Sequence, residues 1–136
     1  MTRLLTTALA IATIAFTGVP AAAQSAEERG AAKFAELTEG RVAGEPKSCI
    51  TAMRSRDVDV IEHVGLAYRD GDTLWIARAS NPNSLGRSDV PIIDRFGSQL
   101  CRQDVMRTID RYSQFTTGSV FLEEFVPYTK IGSEQG

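Results

Sequence analysis

The sequence predicts a mainly β domain, a small curled antiparallel sheet or a barrel-like form of one, with a single N-terminal amphipathic helix. Three observations predict it. From residue 48 onward, short apolar runs rich in β-branched and aromatic residues are punctuated by Gly, Pro, Asn and Asp. Val60 to Arg69 and Thr73 to Ala79 flank Asp70-Gly71, a strong two-residue hairpin signal. Helical spacing stands unopposed in only one segment after the leader, the one that begins at Ser25.

Residues 1–23 have the layout of a secretory signal peptide. Arg3 supplies the positive start, Leu4 to Val19 is an apolar run broken only by Thr and one Gly, and Ala21-Ala22-Ala23 is a small-residue cleavage site. Residues 24–47 form a helix and a connection. Ser25 with Glu28 three residues on reads as a capping box, Ala31, Phe34, Ala35 and Leu37 recur at helical spacing, and Gly40 suits the stop. A helix of about 14 residues is marginal alone, so it must dock on something. Gly44 and Pro46 make 41–47 a connection.

Residues 48–130 read as one β-rich domain. Cys49-Ile50-Thr51 is a short strand. In the hairpin, Arg69 faces Asp72, Leu66 sits opposite Trp75 and Ala67 opposite Leu74. One face then carries Val64, Leu66, Tyr68 and Trp75, and the other Gly65, Ala67, Leu74 and Ile76. Both faces are apolar, so the sheet must curl on itself or be covered by the helix through Phe34 and Leu37. Residues 80–88 form a polar loop, and Val90 to Phe96 is a strand whose Pro91 places it at an edge. Gly97-Ser98 turns the chain into Gln99 to Asp104. Residues 105–112 fit a helix face through Val105, Met106, Ile109 and Tyr112, and fit a strand through Val105, Thr108 and Ile109. Gly118 to Glu123 is a final strand, Phe125 to Tyr128 closes the domain, and 131–136 is a flexible tail.

Cleavage after Ala23 removes Arg3 and takes the formal net charge from −2 to −3, which excludes a strongly basic nucleic-acid binder. No later apolar stretch approaches the ~20 residues of a membrane span, and no cysteine lies near the cleavage site to carry a lipid. Two cysteines, Cys49 and Cys101, suit an oxidising compartment as one disulfide. No Cys-x-x-Cys occurs, which speaks against redox catalysis.

Residues Cys49-Ile50, the Tyr68 to Trp75 hairpin, Gly97 to Asp104 with its Leu-Cys-Arg-x-Asp segment, and Glu124-Phe125-Val126-Pro127-Tyr128 resemble small exported bacterial proteins grouped as a domain of unknown function. The resemblance runs from Cys49 to Tyr128 and covers most of the mature chain. It implies export and a strand at 105–112, and it implies no activity.

His63 is the only histidine. Beside a cysteine it would make a nucleophile-and-base pair; otherwise it is a strand residue on a half-exposed face. A Ser-His-Asp set would need the same histidine, and no nucleophile-elbow sequence accompanies any serine. One His and two bridged Cys leave too few zinc ligands. Asp57 with Asp59, and Asp70 with Asp72, lack the spacing of a calcium loop. Asp104 reads as a turn cap and Arg102 as its solvated neighbour. Arg95, Arg102, Arg107 and Arg111 form a basic stripe for an anionic partner, or an ion-pair network with Asp104 and Asp110. No phosphate-binding glycine loop is present, so neither cofactor nor metal is expected.

These readings converge on an exported, soluble, non-catalytic envelope protein. It would bind an unknown protein or a small ligand through its sheet or the loop 80–88, with His63, Arg102, Asp104, Arg107 and Arg111 as the candidate surface. The alternatives are a small envelope hydrolase using acidic residues or a Cys–His pair, and a protein inhibitor of an exported enzyme.

Overall fold

Ser25 opens the chain's helix as its spacing requires: the Ser25 hydroxyl accepts from Glu28 N at 3.1 Å and the Glu28 carboxylate accepts from Ser25 N at 2.7 Å. The resulting helix α1 spans Ala26–Thr38, and Gly40 leaves it with φ +66°. The structure, a computed structural model, describes residues 23–52, 58–94 and 97–132. Nearly all of the expected leader, together with Asp57, Arg95, Phe96 and most of the expected tail, lies outside the described residues.

Among the described residues ten strands follow: β1 Arg41–Ala43, β2 Cys49–Thr51, β3 Val58–Ile61, β4 Gly65–Asp70, β5 Thr73–Ala79, β6 Asp89–Ile93, β7 Gln99–Cys101, β8 Met106–Asp110, β9 Thr116–Val120 and β10 Leu122–Lys130. The fold is mainly β with one helix. The expectation of a single curled or barrel-like sheet is corrected: the strands make three antiparallel sheets, ordered β1-β10-β5-β4-β3, β2-β7 and β6-β8-β9, and none is closed into a barrel.

Four element readings change. The expected final strand Gly118 to Glu123 is the end of β9 and the start of β10, which break at Phe121 and pair in different sheets. The expected strand Val60 to Arg69 is two strands, because Glu62-His63-Val64 is a turn in which His63 takes φ +53° and Val64 N donates to Ile61 O at 3.0 Å. The hairpin loop is Gly71-Asp72, one residue later than Asp70-Gly71, so Arg69 faces Leu74 and Asp70 faces Thr73. Glycine then occupies the first central position, where φ is +56° and a side chain would be strained. This slip moves pairing by two places in sum, so by itself it turns no side chain over; Val64, expected beside Leu66 and Tyr68, does change face, because the β3–β4 turn sets it against Ile61, Ala67, Leu74 and Ile76. Finally, the supposed connection 41–47 runs along β10. Arg41 pairs with Lys130, Gly44 N donates to Pro127 O, and Lys47 and Phe125 exchange two backbone bonds of 2.8 Å. Residues 105–112 contain a strand, and β6 with Pro91 is an edge.

The five-stranded sheet buries both faces. On one lie Leu66, Tyr68, Ala77, Ala79 and Phe125, packed with Ile50, Leu100, Met106, Val120 and Leu85 from the smaller sheets and the 80–88 loop. On the other, Ile61, Ala67, Leu74 and Ile76 are covered by Phe34 and Leu37 of α1. Ala31 and Ala35, expected on the docking face, are exposed; Gly30 is the buried helix residue. A Cβ at Gly30 would lie 1.8 Å from the carbonyl oxygen of Glu62, so only glycine permits this approach.

Candidate functional site

The helix covers only part of its sheet face. Beyond Phe34, that face continues as an open groove of about 580 Å³. Ile76 and Val126, paired across β5 and β10, and Tyr128 give it an apolar floor. Phe34 forms one wall, its ring edge-on to Tyr128 with centroids 6.0 Å apart. Pro46 and Arg102 contribute from the chain around the disulfide.

Two features of the backbone set the groove's charges. Residues at even positions of β5 share a face, so Arg78 extends the row of Leu74 and Ile76. Its guanidinium lies 4.7 Å from the Phe34 ring centroid, a cation–π contact. In β10 a bulge between Leu122 and Phe125 inserts one residue and brings Glu123 and Glu124 to the groove. Arg102 Nη1 is 3.9 Å from Glu124 Oε1, and the Ser48 hydroxyl donates to the same carboxylate. Among the described residues neither Arg78 nor Glu123 has an ion-pair partner. Arg78, Glu123 and Glu124 are groove charges that sequence reasoning missed; the two apolar hairpin faces already placed Arg78 beside Leu74 and Ile76, whereas the bulge that sets the two glutamates has no local sequence signal.

The sequence-selected residues are not gathered in one cavity. Arg102 lines the groove. Cys49 and Cys101 face each other across β2 and β7 and form the disulfide, with Cα atoms 4.0 Å apart. Asp104 serves the turn beyond it: its carboxylate accepts from Cys101 N at 2.8 Å, and its own N–H donates to Cys101 O. Arg107 pairs with Asp94 at 2.8 Å. Arg111 donates its backbone N–H to Ser88 O and, with Arg87 and Tyr112, lines a separate surface concavity of about 560 Å³.

His63 lies in the β3–β4 turn, not on a strand. Its backbone N–H donates to Leu85 O at 3.1 Å, and its Nδ1 is buried without a hydrogen-bond partner. Next to it, Glu62 accepts two bonds from the Arg29 guanidinium at 2.8 and 3.0 Å. These bonds hold the Glu62 carboxyl below its ordinary range, against a smaller opposing effect of burial, with His63 and Arg87 adding to the lowering. The loop 80–88 is tied down as well. Asn81 donates to Ser119 O and to the Ser84 hydroxyl, and Leu85 is fully buried. Asp110 is the most strongly perturbed acid, lowered to about 2 by the Ser88 hydroxyl and by the Ser113 and Tyr112 donors of its own turn.

Among the described residues no group of three or more His, Cys, Asp or Glu side chains is placed to hold a metal ion, and no helix is long and apolar enough to cross a membrane. Compared with protein-family models, curated proteins and solved structures, the chain finds no match.

Proposed function

We propose that this is an exported, soluble, non-catalytic binding module, and that the groove between Phe34 and Arg102 is where its ligand lies. The observation that carries the reading is an apolar floor of Ile76 and Val126 on the five-stranded sheet, ringed by a few charged groups and open to solvent. A groove of about 580 Å³ falls in the size range of ligand sites. The chemistry nearby favours binding over catalysis. Both cysteines are bonded to each other, and the single histidine sits in a turn with its buried nitrogen unpartnered. The disulfide and the leader-like residues 1–23 support an oxidising, exported location.

Amide NMR shifts on adding 1-anilinonaphthalene-8-sulfonate at neutral pH test the site. Saturable shifts centred on Ser80, Val126 and Tyr128 are expected, and Val126→Asp should abolish them while Trp75 keeps its near-UV circular dichroism. Shifts centred elsewhere, or none, would overturn the groove as the binding site. In the same preparation, a mature chain that begins at Gln24 is expected from the envelope fraction.

A further inference from the structure

The groove carries one unpaired charge of each sign, and this deepens the reading of it as a ligand site, on which the following rests. Arg102 and Glu124 answer each other at 3.9 Å. That leaves Arg78 and Glu123, both lining the groove and neither ion-paired among the described residues. Arg78 is exposed, and its guanidinium lies 4.7 Å from the Phe34 ring centroid, a contact that leaves its in-plane N–H groups open to a carboxylate. Glu123 is held by the β10 bulge, which breaks the pairing with β5 at that point. The bulge sets Glu123 opposite Arg78 on the neighbouring strand, and two residues along from Arg78 the paired Ile76 and Val126 give the groove its apolar floor.

We infer that the ligand is a short zwitterionic peptide with an apolar side chain. Its carboxylate pairs with Arg78, its ammonium group with Glu123, and its side chain lies on the Ile76–Val126 floor. A guanidinium accepts a carboxylate in two parallel hydrogen bonds, and charge-assisted bonds of this kind are the stronger ones. A zwitterion answers both charges at once, so it should bind more tightly than a purely anionic or purely cationic ligand of the same size. A single-sign ligand would bring one end against a like charge.

The probes are the dipeptide Leu-Phe, its N-acetyl form and its C-terminal amide, titrated into the full mature protein and followed by amide NMR. The free dipeptide is expected to bind at the groove, and each capped form to bind about tenfold more weakly, the loss of one charge-assisted contact. In Arg78→Met the amide and the free acid should bind equally, and in Glu123→Gln the acetyl form should match the free amine. Equal affinities for all three probes in the unmodified protein would overturn the zwitterion while leaving the groove as a ligand site. If none of the three shifts groove amides, and the naphthalene sulfonate does not either, both readings fall. The comparison of the three probes in the unmodified protein does not depend on any variant folding.

Discussion

Gly30 is a residue at which helix propensity and packing pull in opposite directions. In an exposed helix interior, Gly→Ala stabilises by up to about 1 kcal/mol. Here the added methyl would meet the Glu62 carbonyl oxygen at 1.8 Å, and overpacking of this kind costs about 1–3 kcal/mol. Gly30→Ala should therefore lower the unfolding free energy in urea, against the sign that propensity demands. An increase would mean that the helix can slide off the turn without loss. The same residue shows a limit on reading side chains from spacing. Ala31 and Ala35 match a helical stripe as well as Phe34 and Leu37 do, and a glycine has no hydropathy with which to mark a contact. Arg78 was hidden for a different reason. Arginine reads as solvent-facing, yet strand parity had already set it in an apolar row.

At the scale of elements, the helix is pinned to the β3–β4 turn by the two Arg29–Glu62 hydrogen bonds. The Glu62 carboxyl is lowered from its ordinary 4.5 in the folded protein, chiefly by those bonds. The stabilisation is thus fully present above pH 4.5, the unfolded value, and is lost as pH falls through the lower folded value. Unfolding free energy measured from pH 6 downward should decline through that window, and more gently in Glu62→Gln. An unchanged slope would remove Glu62 from the acid response, leaving it to groups such as Asp110, whose own window runs from 3.8 down to about 2. Element boundaries were legible where local chemistry dictates them: the capping box, the edge Pro91 and the β4–β5 hairpin within one residue. β1 was not legible, because three residues become a strand only by pairing with β10, some 85 residues away. The β3–β4 break was missed because His63 holds a left-handed conformation that its residue type does not announce.

For the whole molecule, one apolar cluster joins all three sheets, so none of them is an independent unit. The Cys49–Cys101 bridge closes a separation of 52 residues across the smallest of them. By loop entropy this restricts the unfolded chain by about 4 kcal/mol. Paired Cys49→Ser and Cys101→Ser substitutions should lower stability by about that amount in urea unfolding. A loss well under 1 kcal/mol would show that the unfolded chain is already compact around β2 and β7. Of the two expected covers for the sheet, the helix through Phe34 and Leu37 is present and the barrel is not, for a reason that lies at this scale. Two apolar faces on one hairpin demand two covers, and here one cover is the helix and the other a pair of smaller sheets rather than the sheet's own far edge.

The strand order of the large sheet also bears on when it can form. β10, made after the other nine described strands, lies between β1 and β5 and supplies Phe125 to the core beneath them. A chain still being made therefore has β1 without its neighbour, β5 with a bare edge, and a gap where Phe125 belongs, until residue 130 has left the ribosome. Such a chain cannot close its main sheet early.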